Sequence, residues 1–339
     1  MWLQESQSLQ PSSRRRDLDG TLYLSFSTIR HIRSAVSYFY TVDMMATTPQ
    51  LIMDPSKHVL AQPCRPTDQL NFSLFTAGFK ARIGDSSAPS VALLDRHVRF
   101  LDTDLERRYR QAASPRERHL IAMGGFTNVN LWLTWFRSSE HFSLTSRDVT
   151  IVHPSDGPTE DLPIGCGVIK YRLLPETKST RSHRPDVVVC FTSLSGYRLG
   201  RWLLRVRNSF PPGHWGTSDL PLVHYHTYGP WSSYYFRRLF LYPSLYEQRA
   251  AGDPFLSTFD GSPGNSIEEK FWSLHCYRRG ARTQSTRGGS VGNYNFRKAS
   301  KVQIYEHGRW RRQRNGEAVD VMYRELTTRD RIKITLYCM

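Results

Sequence analysis

Two short patterns in this sequence hold residues suited to gripping a phosphate. His275 and Arg278 stand three apart in the segment FWSLHCYRRGARTQ, so a helix there would put both side chains on one face. Arginine offers a planar fork of donors that keeps its charge, and histidine can take or give a proton near neutral pH. The second pattern starts at Arg137, which closes the apolar run LWLTWF. A guanidinium there must meet an anion, and Glu140, three residues on, could supply one as a structural ion pair. With Leu144 and Asp148 the segment reads R-x-x-E-x-x-x-L-x-x-x-D. Either pattern alone is also what a solvated helix face or a structural ion pair looks like, so the weight lies in whether the chain brings them together. A phosphodiester under attack gathers negative charge on its non-bridging oxygens, and two fixed guanidiniums can neutralise it.

The composition favours such a substrate. Lys+Arg 46 against Asp+Glu 30 leaves a net charge of +16, spread along the chain, which points to a polyanionic partner, nucleic acid ahead of an anionic membrane. Cys64, Cys166, Cys190, Cys276 and Cys338 are scattered, with no zinc-ligand spacing, which is expected of reduced thiols in an intracellular compartment. There is no apolar run of membrane-spanning length, no apolar signal core at the N-terminus and no phosphate-binding G-x-x-x-x-G-K-[ST] loop. His224-x-His226 has no third ligand beside it, so neither a metal nor a cofactor is expected.

Residues 1–20, with the triplet Arg14–Arg16, are expected to form a basic disordered tail. Residues 21–84 read as a small basic helical unit. One helix spans 28–45, with Ile29, Ile32, Val36 and Phe39 in its apolar stripe and Arg30 and Arg33 off it. A second spans 69–83 and carries Lys80 and Arg82. Residues 85–90 are a linker by composition. Beyond it, Val91, Leu94, Val98, Leu101 and Leu105 predict a long amphipathic helix, and Ser114-Pro115-Arg116-Glu117 is a helix start. Gly124-Gly125 is expected to end that helix, with another starting near Asn128. Strands are expected at 149–152, 167–174 and 186–191, the last two joined by a polar turn with Lys178 near its tip and Arg181 close by. Further helices are expected at 196–207, 232–251, 267–279 and from Glu317, with loops at 253–265 and around Gly288-Gly289. The expected class is mainly α with a small antiparallel β-sheet (α+β).

Taken in order, the chain presents Arg137, Lys178 on a hairpin turn, His275 with Arg278, the segment His307-Gly308-Arg309-Trp310, and Tyr323 within EAVDVMYREL. This order resembles the tyrosine recombinase (phage integrase-like) family, and the closing HGRW and MYRE segments look like the crypton-type recombinases of eukaryotic mobile elements. The resemblance covers about residues 91–339 as the catalytic domain and, more loosely, 21–84 as the helical DNA core-binding domain. It implies that Arg137, Lys178, His275, Arg278 and Trp310 act on the scissile phosphate and that Tyr323 is the nucleophile, forming a 3′-phosphotyrosyl intermediate. Glu140 would support Arg137, and His307 competes with Trp310 for one role. The stretch 311–317 is longer than the family's usual spacing, so Tyr305 and Tyr337 stand as rival nucleophiles. The implied partner is double-stranded DNA, held by a homo-tetramer on two sites, with Arg30, Arg33, Lys80, Arg82 and Arg181 as contacts. No metal, ATP, small-molecule cofactor or membrane is implied, and the location in a eukaryote would be the nucleus. A catalytically silent DNA-binding protein on the same scaffold and a type IB topoisomerase-like enzyme are the alternatives.

Overall fold

Helix α1 (Asp95–Gln111) begins four residues later than the apolar spacing predicts. Its stripe is as expected, with Val98, Leu101 and Leu105 buried. Residues 90–94 stay out of the helix because their donors are used elsewhere: Val91 N–H bonds the Lys270 carbonyl and Leu93 N–H the Cys276 carbonyl, both at 3.1 Å. The computed structural model describes residues 90–153, 167–172, 187–217, 221–225, 229–230, 232–262, 264–271, 273–291, 294–300, 303–304 and 307, with 14–16, 22–24, 32–36, 38, 52–54, 59–61 and 74 in the N-terminal part.

Helix α2 (Pro115–Thr134) starts where the sequence signals it. Ser114 Oγ accepts from Glu117 N–H at 3.1 Å, and Pro115 fills the first turn. It then runs straight through Gly124-Gly125, where the sequence predicts an end. The glycines serve contact instead: a Cβ on Gly125 would lie 2.4 Å from the Trp202 ring, and one on Gly124 2.8 Å from the Phe240 ring. Close approach of two aromatic rings offsets the roughly 1 kcal/mol that glycine costs inside a helix. Every residue from Ile121 to Thr134 is buried, so α2 is the central element around which the others pack.

After the short helix α3 (Ser138–Phe142), strands β1 (Val149–Val152), β2 (Val168–Tyr171) and β3 (Val187–Cys190) form one antiparallel sheet in that order. Val149 pairs with Tyr171 and Val168 with Cys190. The connection from β2 to β3 carries Lys178 and Arg181 within 173–186, which lie outside the described residues.

Helix α4 (Leu199–Arg207) packs on α2 and delivers Trp202 to Asp102 of α1, whose Oδ1 accepts from the indole N–H at 2.7 Å. Burial raises the Asp102 carboxyl from 3.8 to about 6; the Trp202 bond opposes this, Glu106 adds to it, and Arg99 and Arg198 reduce it. The folded state therefore holds this proton more tightly than the unfolded chain. Stability falls as pH rises between about 4 and 6, and the full penalty of a buried charge is present above that window. Asp102→Asn keeps the acceptor and removes the charge. The expected gain is about 1–3 kcal/mol at pH 8, shrinking towards zero near pH 4, measured by denaturant unfolding at both pH values. An equal change at both would show that ionisation is not its source.

Helix α5 (Ser233–Phe236) continues through a π-turn, Arg237–Leu241, into α6 (Tyr242–Ala250). The single helix expected over 267–279 is instead two, α7 (Ile267–Lys270) and α8 (His275–Arg287), because the chain turns at the buried Phe271 and Leu274. Gly288, with φ 65, follows the end of α8. Beyond it Gly289–Val291 pairs antiparallel with Tyr294–Phe296, where only a loop was expected. The architecture is mainly helical with one small three-stranded antiparallel sheet, an α+β fold. Among the described residues no helix is long and apolar enough to cross a membrane.

The chain divides into two compact units, Met1–Pro89 and Ser90–Met339. In the first, residues 32–36, 38 and 74 are helical. Arg14–Arg16, expected in a disordered tail, pairs antiparallel with Leu22–Leu24. Ile52–Asp54 likewise pairs with Val59–Ala61, so this unit is not purely helical. Cross-strand pairing satisfies backbone donors locally, and Asp19-Gly20 between the first two strands is a hairpin signal that the charge of the tail obscured. Val36, expected on the buried stripe, is 42% exposed. Arg30, Lys80 and Arg82 lie outside the described residues; Arg33 is half-buried.

Candidate phosphate-binding site

Helix α2 ends in a left-handed turn at Trp135, with φ 54 and ψ 30. Trp135 is the only non-glycine residue of positive φ among the described residues, a conformation that costs an L-residue about 1–2 kcal/mol. In a continuing helix Arg137 N–H would bond the Leu133 carbonyl. The turn redirects it to Glu140 Oε2, at 2.8 Å, and α3 starts there. Arg137 Nη1 also reaches Glu140 Oε1, at 3.1 Å. The carboxylate is fully buried while the guanidinium is 37% exposed. A desolvated carboxylate has to be paired, so Glu140 is the structural partner. The remaining guanidinium donors of Arg137 make no hydrogen bond among the described residues. They are available to an anion.

The rest of the R-x-x-E-x-x-x-L-x-x-x-D segment is scaffold. Leu144 is buried, and Asp148 Oδ2 accepts from both the N–H and the hydroxyl of Thr145 at 2.8 Å, capping the 3-10 turn Ser146–Asp148 that leads into β1. Behind Glu140 lies a buried polar chain. The Tyr171 hydroxyl donates to Asn130 Oδ1 at 2.7 Å, which leaves the Asn130 amide to donate to His141 Nδ1 at 2.9 Å. The His141 proton is then on Nε2, facing Thr127 Oγ1 at 3.1 Å. Burial pushes His141 down to about 3, so it stays neutral. This chain ties α2, α3 and β2 together beneath Arg137.

The second half of the site is the first turn of α8, where the positive end of the helix dipole lies. His275 opens the helix and is exposed; Arg278, one turn on, is 5% exposed. His275 is held below its ordinary value of 6.5, first by partial desolvation and then by the guanidiniums of Arg278, Arg137 and Arg279. The two patterns read separately in the sequence thus lie within electrostatic reach of each other. They form a cationic cluster around an imidazole that is neutral at pH 7 and can accept a proton.

Helix α8 is held firmly. The Tyr277 hydroxyl donates to Asn128 Oδ1 at 2.7 Å, and Asn128 Nδ2 donates to the Val98 carbonyl at 3.1 Å. Arg279 Nη1 donates to the Ser90 carbonyl at 2.8 Å, and the Ser90 and Ser273 hydroxyls are 2.6 Å apart. His307 is buried against the end of α2. Its Nε2 lies 2.6 Å from the Leu133 carbonyl, and its ring stands edge-on to Trp135, 4.7 Å between centroids at 85°.

The structure therefore pairs Arg137 with Glu140, places Arg137 within electrostatic reach of His275 one turn from Arg278, and sets His307 beside Trp135, two residues from Arg137. Lys178, Trp310 and Tyr323, with the rivals Tyr305 and Tyr337, lie outside the described residues. Sequence reasoning missed Thr127, Asn128, Asn130 and His141. The signal for three of them was visible in FTNVNLWLTW: Thr127, Asn128 and Asn130 inside an apolar helix must be buried and hydrogen-bonded. Among the described residues no group of three or more His, Cys, Asp or Glu could hold a metal ion. A cavity of about 460 Å³ between α1 and α4, lined by Asp102, Arg107, Arg198 and Trp202 among others, touches none of the candidate residues. The chain matches no protein-family model and no curated protein.

Proposed function

We propose that this chain is a site-specific DNA recombinase or integrase of the tyrosine recombinase type, cutting and rejoining DNA through a 3′-phosphotyrosyl intermediate. The observation that carries the reading is that Arg137, from one sequence pattern, lies within electrostatic reach of His275, which opens the helix carrying Arg278, while its guanidinium keeps donors beyond the Glu140 pair. The net charge of +16 supports a polyanionic substrate.

In this reading the guanidiniums of Arg137 and Arg278 bind the non-bridging oxygens of the scissile phosphate and stabilise the charge that grows there. The phenolic oxygen of Tyr323 forms the new bond to phosphorus, and its proton passes to neutral His275. The bond to the 5′-oxygen breaks, and Lys178 protonates that leaving group. Trp310 donates to the phosphate; His307 would take that role only as an imidazolium, through Nδ1, because its Nε2–H is held by the Leu133 carbonyl. The same steps in reverse join the attacking 5′-hydroxyl to the strand and release the tyrosine. Recombination requires four protomers on two duplexes, and Arg30, Arg33, Lys80, Arg82 and Arg181 would add phosphate contacts that hold the DNA. The nucleus is the place of action in a eukaryotic host.

The test is a nicked suicide duplex taken from the DNA that flanks this gene, incubated without metal or ATP. The expected result is a covalent protein–DNA adduct whose linked peptide contains Tyr323. An adduct at Tyr305 or Tyr337 would move the nucleophile and keep the activity. Binding that weakens steeply with salt but yields no adduct would identify a silent DNA-binding protein. Relaxation of any supercoiled plasmid without site preference would identify a type IB topoisomerase-like enzyme.

A further inference from the structure

We propose that Trp135 is a positioning residue, whose left-handed turn aims Arg137 and whose ring fixes His307 in the same site. The consequence for catalysis rests on the recombinase reading; the contact itself does not. The turn acts on one hydrogen bond. Without it, the Leu133 carbonyl and the Arg137 N–H would satisfy each other inside α2. With it, the carbonyl is left for His307 Nε2 at 2.6 Å, and the N–H goes to Glu140 at 2.8 Å. A single inverted φ thus supplies the anchors of two candidate residues whose positions in the sequence are far apart.

Backbone geometry alone does not call for tryptophan. Glycine adopts φ 54 without strain, so a position that needed only the turn would be best served by glycine. The tryptophan ring is wholly buried and meets His307 edge-on, a geometry that aromatic pairs favour. A carbonyl oxygen only accepts, so the Leu133 contact places a proton on Nε2 of His307. Ring contact and carbonyl together set the tautomer and tilt of this imidazole.

Trp135→Gly separates the two roles, since it keeps the turn and removes the ring. Two readouts apply. In the first, side-chain nitrogen NMR of histidine-labelled full-length protein follows His307, assigned by its absence in His307→Gln. The expected signature is a single Nε2–H tautomer in the wild type and a mixed, solvent-exchanging ring in Trp135→Gly. In the second, single-turnover adduct formation on the nicked duplex should fall about 10²-fold, the scale of a misplacement near 1 Å, with DNA affinity retained. His307→Gln should show the same loss, and the double variant no more than either alone. An unchanged His307 signature in Trp135→Gly overturns the proposal, as does a double variant whose losses multiply. If Trp135→Gly does not fold, Trp135→Phe, which keeps a smaller ring, is judged by the same shift in the His307 signature. Absence of any adduct in the wild type would remove the recombinase reading, while the NMR result would still decide the Trp135–His307 contact.

Discussion

If the chain cleaves DNA as proposed, Arg278→Ala is expected to slow that cleavage about 10²–10³-fold, the loss that follows removal of one preorganised donor to a developing charge. DNA affinity should change little, because one phosphate contact among many contributes a small share of binding. The expectation rests on the placement of Arg278: it is 5% exposed, one turn from His275, and its charge reaches the same imidazole as that of Arg137. A buried guanidinium is costly to maintain, and in the recombinase reading the scissile phosphate would help to offset that cost. Arg278→Lys is the informative companion. It keeps a positive charge but loses the planar fork, so cleavage should remain low. Thermal unfolding of both variants guards against a trivial loss of fold. Wild-type cleavage by either would return Arg278 to the scaffold. Arg137→Ala is a less clean experiment, since it also strips the fully buried Glu140 of its ion pair.

Gly280→Ala is expected to destabilise the second unit by about 3 kcal/mol or more, at or above the upper end of ordinary overpacking. Two effects oppose each other. Alanine is the better helix residue by about 1 kcal/mol, and α8 would gain that amount if the site were open. The site is closed: a Cβ on Gly280 would stand 2.0 Å from the Leu93 carbonyl oxygen and 2.9 Å from the Trp132 ring. The carbonyl belongs to the backbone of a segment whose own N–H bonds Cys276 of the same helix at 3.1 Å, so it cannot swing aside as a side chain could. Relief requires α8 to shift as a body, and α8 carries His275 and Arg278. Cleavage should therefore fall along with the unfolding midpoint. A midpoint at or above that of the wild type would show that the segment 90–94 yields easily.

Local signals in the chain were legible where the physics is local. The cap at Ser114, the strands near 149–152, 168–171 and 187–190, and the stripe of α1 all follow from hydrogen bonds and alternations within a few residues. The pairs Arg137/Glu140 and His275/Arg278 were also legible, as residue types at short spacing. Errors arose where a distant partner overrode the local preference. Gly124-Gly125 reads as a stop because glycine is a poor helix residue, yet here it is the space that Trp202 and Phe240 occupy. Val91 and Leu94 read as a helix, yet donors in that segment bond residues far along the chain. The helix at 267–279 is broken because Phe271 and Leu274 turn into the core.

By itself, then, the sequence determined the mainly helical α+β class, the basic charge and the identities of the candidate chemical groups, since each depends on composition or on neighbours within a turn or two. Only the tertiary structure decided that Arg137 lies within electrostatic reach of His275 and Arg278, that Glu140 is buried as its partner, and that Trp135 turns back against His307. Those facts depend on how α2, α3 and α8 pack, which is set by buried contacts such as Tyr277 with Asn128 and Tyr171 with Asn130. Such contacts join residues far apart in the chain, and no spacing rule within a single segment encodes them.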